Sequence, residues 1–199
     1  LASSGKKRLL CDPHYLVGGL IPYRLRTQLR HVHSHYSLMD GLCSPHELMS
    51  AAKELGQTAV AITDHGTLSG HRDMQKAAQE LGLKPILGLE AYISETDRFD
   101  KRDVKNRDDN TQVFNHIILL AKNQNGLKNL QKMSEIAWTE GYYRKPRIDL
   151  DLLDQYGDDI IVLSGCLNGL ICKAFERGDE DKAKEYARWF KARFGDDFY

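Results

Sequence analysis

Two histidines separated by one residue, His31 and His33, are the first candidates for chemistry in this chain. Residues 31–33 are predicted to lie in a strand, and because alternate side chains of a strand point to the same face, both imidazoles can bind one ion. Nitrogen, oxygen and thiolate donors together suit zinc, manganese or iron better than calcium or magnesium, which prefer oxygen. The pattern therefore predicts a transition-metal site for metal-assisted hydrolysis. Further donors follow in sequence order: Asp64, His65, Glu90, His116 and Cys166.

Each of these donors also has a plainer interpretation. A histidine such as His65 or His116 is often a helix-capping or core residue, and Cys166 could be a small buried hydrophobe. A carboxylate buried in an apolar strand, as expected for Glu90, needs compensation by a cation or by a salt bridge. The metal hypothesis is favoured because the donors recur across successive predicted β/α units.

So many donors are enough for two or three metal ions. Such ions would clamp a phosphate oxygen and generate hydroxide from bound water near neutral pH, so that no protein nucleophile is required. The sequence contains no nucleophile elbow, glycine-rich phosphate loop or dinucleotide fingerprint.

The elements that would position these donors alternate along the chain from residue 30 onward. Short apolar runs and longer amphipathic runs predict parallel β/α units and an α/β fold. His65, Glu90 and Cys166 fall at or near the carboxyl ends of predicted strands, where functional groups gather in α/β sheets and barrels. His116 instead stands at the beginning of its strand. Strands are predicted over 58–63, 84–93, 115–122 and 160–163, helices over 44–56, 69–81, 127–138 and 179–194, and a solvated loop over 95–112.

A loop over residues 142–147 interleaves aromatic and cationic side chains. Tyr142, Tyr143 and Arg147 belong to this pattern, which could stack bases and hold phosphates of a single strand. Tyrosines that simply pack on the domain explain it equally well. Within the loop, Arg144 and Lys145 are the candidate contacts to a substrate phosphate.

The overall composition excludes a global electrostatic attraction to nucleic acid or membrane. The chain has 28 basic and 28 acidic residues and a formal net charge of zero, so any such binding must be local. No apolar run reaches the roughly 20 residues of a membrane span. No secretory signal follows the basic residues near the start. We therefore predict a cytoplasmic protein without membrane contact.

Several segments together resemble the PHP (polymerase and histidinol phosphatase) domain. The segments are 31–41 (HVHSHYSLMDG), 61–66 (AITDHG), 84–90 (KPILGLE) and 115–122 (NHIILLAK). Segments 140–149, 163–166 and 194–199 are further similar to the PHP domains found at the amino terminus of bacterial DNA polymerase III alpha subunits. The resemblance covers residues 30–199, while residues 1–29 form an irregular extension unlike the family.

This resemblance implies a distorted (β/α)7 barrel whose strand ends hold two or three divalent transition metals (Zn, Mn or Fe). The barrel is expected to be incomplete at its carboxyl end, because the family's final Asp-x-His motif would lie beyond Tyr199. Asp64 is placed as a supporting residue or an additional ligand. The positions that match the family's ligands are His31, His33, Asp40, His65, Glu90, His116 and Cys166.

The resemblance also implies a function, with alternatives. We expect part of a replicative polymerase whose PHP domain is a 3′ to 5′ exonuclease acting at a DNA primer 3′ end, without polymerase activity of its own. Partners would be other replicase subunits. In members that have lost ligands, the domain docks a separate proofreading exonuclease, and a non-catalytic docking module is one alternative here. A free-standing PHP phosphoesterase is another, although segment 140–149 argues against it.

Overall fold

The computed structural model describes residues 28–102 and 113–199. The predicted irregular extension over 1–29 lies outside the described residues except for Gln28 and Leu29. These two residues form a short strand, so the prediction is wrong there, and for 1–27 it stays a prediction. The chain divides into two compact units, Leu1–Leu87 and Gly88–Tyr199. The treatment of 30–199 as one domain also stays a prediction.

The first unit alternates parallel strands with helices, as the sequence predicts. Strand β1 pairs with β2, and β2 pairs with the beginning of β3, both in parallel register. The first four residues of β3 belong to this unit and its last six to the second. The elements are β1 (Gln28–Leu29), α1 (Pro45–Glu54), β2 (Ala59–Ile62), α2 (His71–Leu81) and β3 (Lys84–Ile93).

Helix α1 begins and ends where the sequence predicts. Its amino terminus is a capping box, in which the Ser44 hydroxyl accepts from the Glu47 amide and the Glu47 carboxylate accepts from the Ser44 amide. It ends just before Gly56, whose φ of 69° is easily adopted only by glycine. Met49 of α1 and Met74 of α2 are fully buried in the core that covers β2.

The second unit contains a mixed sheet. Strand β4 runs antiparallel to both β3 and β6, whereas β5 is parallel to β3. The elements are β4 (Asn115–Ala121), α3 (Gln124–Thr139), β5 (Arg147–Ile148), α4 (Leu150–Tyr156), β6 (Ile160–Leu163), α5 (Leu170–Glu176), α6 (Glu180–Phe194) and a 3₁₀ turn (Gly195–Asp197).

The predicted α/β class is confirmed, but the expectation of parallel β/α units throughout is wrong for β4. Periodicity reports that a segment is a strand and says nothing about its direction. A parallel neighbour needs a crossover, usually a helix, and the described residues between β3 and β4 contain none. In the antiparallel arrangement, the beginning of β4 lies at the same edge as the carboxyl ends of β3 and β6.

Two short helices, α4 and α5, and two short strands, β1 and β5, escape the sequence prediction. Helices α4 and α5 have seven residues each, too few for a clear helical period. The predicted solvated loop over 95–112 is irregular and mostly exposed in its described part, 95–102, although the Arg98 side chain is largely buried and binds Asp149 at 3.0 Å. Within the described ranges, no helix combines the length and apolar character needed to cross a membrane.

Candidate functional site

In the first unit, the two histidines of the His-x-His motif point their Nε2 atoms toward each other. The two Nε2 atoms are 3.1 Å apart. Two imidazole nitrogens bound tetrahedrally to one zinc ion are separated by about 3.3 Å, given Zn–N distances near 2.0 Å. The prediction that His31 and His33 stand in a strand is wrong, because residues 31–33 form irregular chain after the short strand at 28–29. The two side chains nevertheless present two nitrogen donors at a spacing that suits a shared ion.

The Ser37 hydroxyl contacts the other ring nitrogen of His33, and the Asp64 carboxylate holds this hydroxyl in place. The Ser37 hydroxyl donates to Asp64 Oδ1 at 2.7 Å and lies 3.3 Å from His33 Nδ1. Since its proton is committed to Asp64, the hydroxyl accepts from a protonated Nδ1, which leaves the His33 Nε2 lone pair available to a metal. Asp64 is buried and also accepts from the amide and hydroxyl of Ser34, so its bonds favour the supporting role.

The remaining donors of the first unit, His65 and Asp40, join the same cluster. His65 Nε2 lies 2.6 Å from Asp40 Oδ2. The His65 ring stacks on His33 with centroids 4.2 Å apart, and the His65 amide donates to the Ser37 hydroxyl. Three imidazoles and a carboxylate from the predicted set thus lie together in the first unit.

In the second unit, Glu90 and His116 form the second group of donors. Tyr92 pairs with His116 and Glu90 pairs with Ile118, so Glu90 and His116 are diagonal neighbours on one face of the β3–β4 pair. Glu90 Oε1 lies 2.8 Å from His116 Nδ1, and the Glu90 side chain is 2% exposed. Burial of a carboxylate is costly unless a proton, a cation or hydrogen bonds compensate it.

Cys166 follows β6 and reaches the same histidine. Its Sγ lies 3.9 Å from His116 Nδ1. The turn is tied to β4 by the His116 amide, which donates to the Asn168 carbonyl at 2.9 Å, and it uses a left-handed Gly165 with φ of 90°. Cys166 is an exposed free thiol, so the interpretation as a buried hydrophobe is wrong.

The cations of the 142–147 loop separate into three different settings. Arg144 lines a cavity together with His116. The Lys145 ammonium lies 5.1 Å from the centre of the Tyr92 ring. Arg147 is fully buried and donates to the carbonyls of four residues, so its assignment to a nucleic-acid surface is wrong. Those carbonyls belong to Arg98, Asp100, Val113 and Gly141.

Sequence reasoning missed the residues that support these donors. Ser37 and Asn168 carry no motif of their own, and their roles depend on contacts with His33 and His116. Each unit nevertheless offers at least three donors, with nitrogen and oxygen in the first and nitrogen, oxygen and sulfur in the second. Such mixed sets fit zinc, manganese or iron better than calcium or magnesium.

Comparison with protein families decides the family. The model described as "PHP domain" matches residues 30–199. The chain belongs to the PHP domain family. Its PHP domain is 44% identical over 170 residues to a DNA polymerase III subunit alpha of Aquifex aeolicus, covering 85% of this chain and 15% of that protein. A second, of Borreliella burgdorferi, is 42% identical over 177 residues, covering 89% of this chain and 15% of that protein.

Solved structures are more distant. One, from Bifidobacterium adolescentis, has a name that refers to a metal-dependent phosphoesterase; it is 24% identical with a TM-score of 0.39, covering 55% of this chain and 32% of its own. Another is an amidohydrolase from Chromobacterium violaceum, 23% identical with a TM-score of 0.37, covering 55% of this chain and 34% of its own. Both values are too low to add to the family assignment.

Proposed function

We propose that this PHP domain is a metal-dependent phosphodiesterase that removes nucleotides from the 3′ end of DNA. The observation that carries the proposal is the clustering of the motif donors, with His31, His33 and His65 in one unit and Glu90 beside His116 in the other. Membership in the PHP family and the DNA polymerase III alpha relatives support DNA as the substrate.

The proposed cofactors are two or three divalent transition metals, with zinc, manganese or iron as candidates. When bound, such ions supply a Lewis acid for a phosphate oxygen and lower the pKa of water. The chain's own residues orient the donors, as Ser37 does for His33. The proposed ligands are His31, His33, Asp40 and His65 in the first unit and Glu90, His116 and Cys166 in the second.

Arg144 and Lys145 are proposed to bind the substrate phosphate. Arg144 is supported by its position at the cavity beside His116. Lys145 is held over Tyr92, whose ring also lies edge-on to His116 with centroids 5.4 Å apart. Both cations therefore lie close to the residues that surround His116, where the phosphate of a bound strand would gain most from positive charge.

The wider setting is proposed from the relatives, because the chain spans only about a seventh of their length. We propose that it acts within a replicative DNA polymerase in the cytoplasm, at a primer 3′ end. The partners proposed are the other replicase subunits, among them a separate proofreading exonuclease. Polymerase activity itself is assigned to the rest of such a protein.

Metal analysis combined with a nuclease assay tests this function. We expect the purified protein to contain transition metal by mass spectrometry and to shorten a 5′-labelled single-stranded oligonucleotide from its 3′ end. His33→Ala should lower metal content and lower the rate by more than about 100-fold, since even loss of a group that supports a ligand costs about 10–100-fold. His46→Ala is the control, because His46 is exposed on α1 and its Nε2 lies 3.6 Å from Glu80, which is not a proposed ligand.

The results of the metal analysis and the nuclease assay distinguish the proposed exonuclease from the two alternative functions. Metal that is bound without any cleavage would favour a docking module in which the ion only stabilises the fold. Cleavage of small phosphate esters but not of DNA would favour a free-standing phosphoesterase. Unchanged metal content and cleavage in His33→Ala would contradict the proposal altogether.

A further inference from the structure

Glu95 is a buried carboxylate that follows strand β3 and is not one of the predicted donors. Its side chain is 1% exposed. A buried carboxylate is costly unless a cation or hydrogen bonds compensate it, and Glu95 has both. Its Oε1 accepts from Asn115 Nδ2 at 3.0 Å, and Arg177 donates one terminal nitrogen to each carboxylate oxygen, at 2.8 and 2.9 Å. Glu95 therefore joins three segments of the second unit: the end of β3, the start of β4 and the end of α5.

The ion pair fixes the end of α5. Arg177 is the residue that follows this helix, and its side chain is 21% exposed. Both terminal nitrogens of the guanidinium bind the carboxylate, an arrangement that sets the direction of the pair as well as its distance. The hydrogen bonds to Glu95 raise the pKa of the Arg177 guanidinium above its ordinary value, so the pair stays charged. Loss of either partner would leave the charge of the other uncompensated.

The hydrogen bond from Asn115 fixes the start of β4. Asn115 is 1% exposed, pairs with Ile93 of β3 and immediately precedes His116. The His116 amide in turn donates at 2.9 Å to the carbonyl of Asn168, in the turn after β6. The backbone of His116 thus lies between a residue that Glu95 holds and the turn that carries the cysteine donor.

The turn that carries Cys166 leads directly into α5. The Asn168 amide donates to Cys166 Sγ at 3.4 Å. Helix α5 begins two residues after Asn168 and has only seven residues, so a shift of Arg177 at its end is passed to the turn. The turn is therefore held at two points, directly by His116 and, through α5 and Arg177, by Glu95.

The sequence of this turn does not fix the thiol by itself. Cys166 is exposed and lies between two glycines, Gly165 and Gly169, and glycine gives the chain more conformational freedom than other residues. The thiol nevertheless lies 3.9 Å from His116 Nδ1. A thiolate and an imidazole bound tetrahedrally to one zinc ion are about 3.5 Å apart, given Zn–S and Zn–N distances of about 2.3 and 2.0 Å. The contacts at the two ends of the turn therefore keep the sulfur close to the spacing of a shared ion.

We propose that Glu95 is a positioning residue of the metal site. By binding Asn115 and Arg177 together, it holds the Cys166 thiol beside His116 at a spacing that lets both bind one ion. The proposal rests on the proposed function, from which it takes Cys166 and His116 as ligands. It adds that a residue which contacts neither metal nor substrate determines whether the sulfur joins the site.

Titration of the metal-free protein with Co²⁺ measures the position of the sulfur without any nuclease assay. A thiolate bound to Co²⁺ gives a charge-transfer band in the near ultraviolet, which we expect in the wild type and which Cys166→Ser should abolish. Glu95→Gln keeps the size of the side chain and removes its charge. It should weaken the Co²⁺ binding that this band reports by about 10–100-fold, the usual cost of losing a group that orients a ligand.

Asp149→Asn is the matched control. Asp149 is a second buried carboxylate of this unit, 2% exposed, and it pairs with Arg98 at 3.0 Å, but neither residue is a proposed ligand. Both Asp149→Asn and Glu95→Gln should lower the free energy of unfolding in urea, whereas only Glu95→Gln should weaken the cobalt band. A purely structural role of Glu95 predicts the same band in the two variants.

Arg177→Gln is the second variant, at a partly exposed position, and it tests the pair even where Glu95→Gln does not fold. It should also weaken the band, and Arg177→Lys, which keeps the charge, should restore part of it. A wild type without the band, equal bands in the wild type and Arg177→Gln, or a band weakened as much by Asp149→Asn overturns the positioning role.

The cobalt titration and the nuclease assay fail independently of each other. A band that responds as expected in a protein without nuclease activity supports the positioning role and overturns the proposed function. Cleavage of DNA by a protein that shows no cobalt–thiolate band overturns the positioning role and leaves the proposed function intact.

Discussion

The Ser37 hydroxyl connects three groups of the first unit that are far apart in sequence. It donates to Asp64, accepts from the His65 amide and lies against His33 Nδ1. We predict that Ser37→Ala lowers metal affinity by about 10–100-fold, the usual cost of losing a group that orients a metal-bound histidine. Competition with a chelator of known affinity measures the loss.

A second serine–histidine pair provides the control for this prediction. Ser50 lies 3.4 Å from His46 Nδ1 on the exposed face of α1. Ser50→Ala should leave metal affinity unchanged. Equal affinities for the wild type and Ser37→Ala would show that the hydroxyl does not orient His33.

The buried Arg147 side chain is expected to contribute strongly to the free energy of unfolding. Because its guanidinium donates to four carbonyl groups, Arg147→Met leaves several buried acceptors without their donor. We expect the free energy of unfolding to fall by at least about 3 kcal/mol, since each unsatisfied buried group costs about 1–3 kcal/mol. Urea denaturation measures the difference.

Arg193→Met is the comparison for this variant. Arg193 also donates to a carbonyl, that of Asp154, but it does so at the surface. Its loss should cost about 1 kcal/mol or less. A loss below about 1 kcal/mol in Arg147→Met would mean that water replaces its hydrogen bonds.

The sequence identified candidate donors by type and spacing, and it could not identify their support. His31, His33 and His65 stand in recognisable motifs, and the structure brings them together. In the sequence Ser37 is an ordinary loop serine, and only the structure shows that it lies beside Asp64. The sequence assigns Arg147 to an exposed basic loop, because it gives the charge of a side chain but not the carbonyl groups that surround it.

The direction of β4 explains why His116, at the beginning of its strand, still lies with donors at the carboxyl ends of other strands. Glu90 and Cys166 follow the rule that functional groups gather at carboxyl ends of strands, whereas His116 begins its strand. The antiparallel course of β4 places that beginning at the same edge. The sequence thus predicts β2, β3, β4 and β6 to within one residue, but it misses the two-residue strands β1 and β5 and places a strand at 31–33 where the structure has none. The direction of β4 depends on hydrogen bonds with β3 and β6.

The junction between β6 and α3 gives a prediction about pH. Asp159, at φ of 60°, accepts from the side chains of Asn123 and Asn125 at 2.9 and 2.8 Å. These hydrogen bonds hold the pKa of the Asp159 carboxyl below its ordinary value of 3.8. A lowered pKa stabilises the fold above the unfolded-state pKa, and this stability is lost as pH falls through the folded-state value.

Asp159→Asn tests this dependence, because asparagine tolerates the left-handed backbone and removes only the charge. We expect the wild type to exceed the variant in unfolding free energy at pH 7, and the difference to shrink as the pH falls below the ordinary value of 3.8. Asn125→Ala should show a smaller pH dependence than the wild type. A difference that is constant between pH 7 and pH 2 would contradict the assignment.

Charge balance across the whole chain determines how it can attract DNA. With 28 basic and 28 acidic residues, long-range attraction to a polyanion is absent, and binding depends on a few local cations. Composition alone establishes this point. It does not reveal which cations lie near His116, because the fold alone brings Arg144 of the 142–147 loop to the cavity that His116 lines.

The salt dependence of binding to single-stranded DNA tests whether binding depends on only a few local cations. Each phosphate contact to single-stranded DNA contributes about −0.7 to the slope of log K against log salt concentration, so one contact each from Arg144 and Lys145 predicts a slope of about −1.4. Lys145→Gln should reduce the slope to about −0.7, and Lys182→Gln should leave it unchanged. Fluorescence anisotropy of a short labelled oligonucleotide at several salt concentrations measures it. A slope steeper than about −3 would require a broad basic surface, which would contradict local recognition at this cavity.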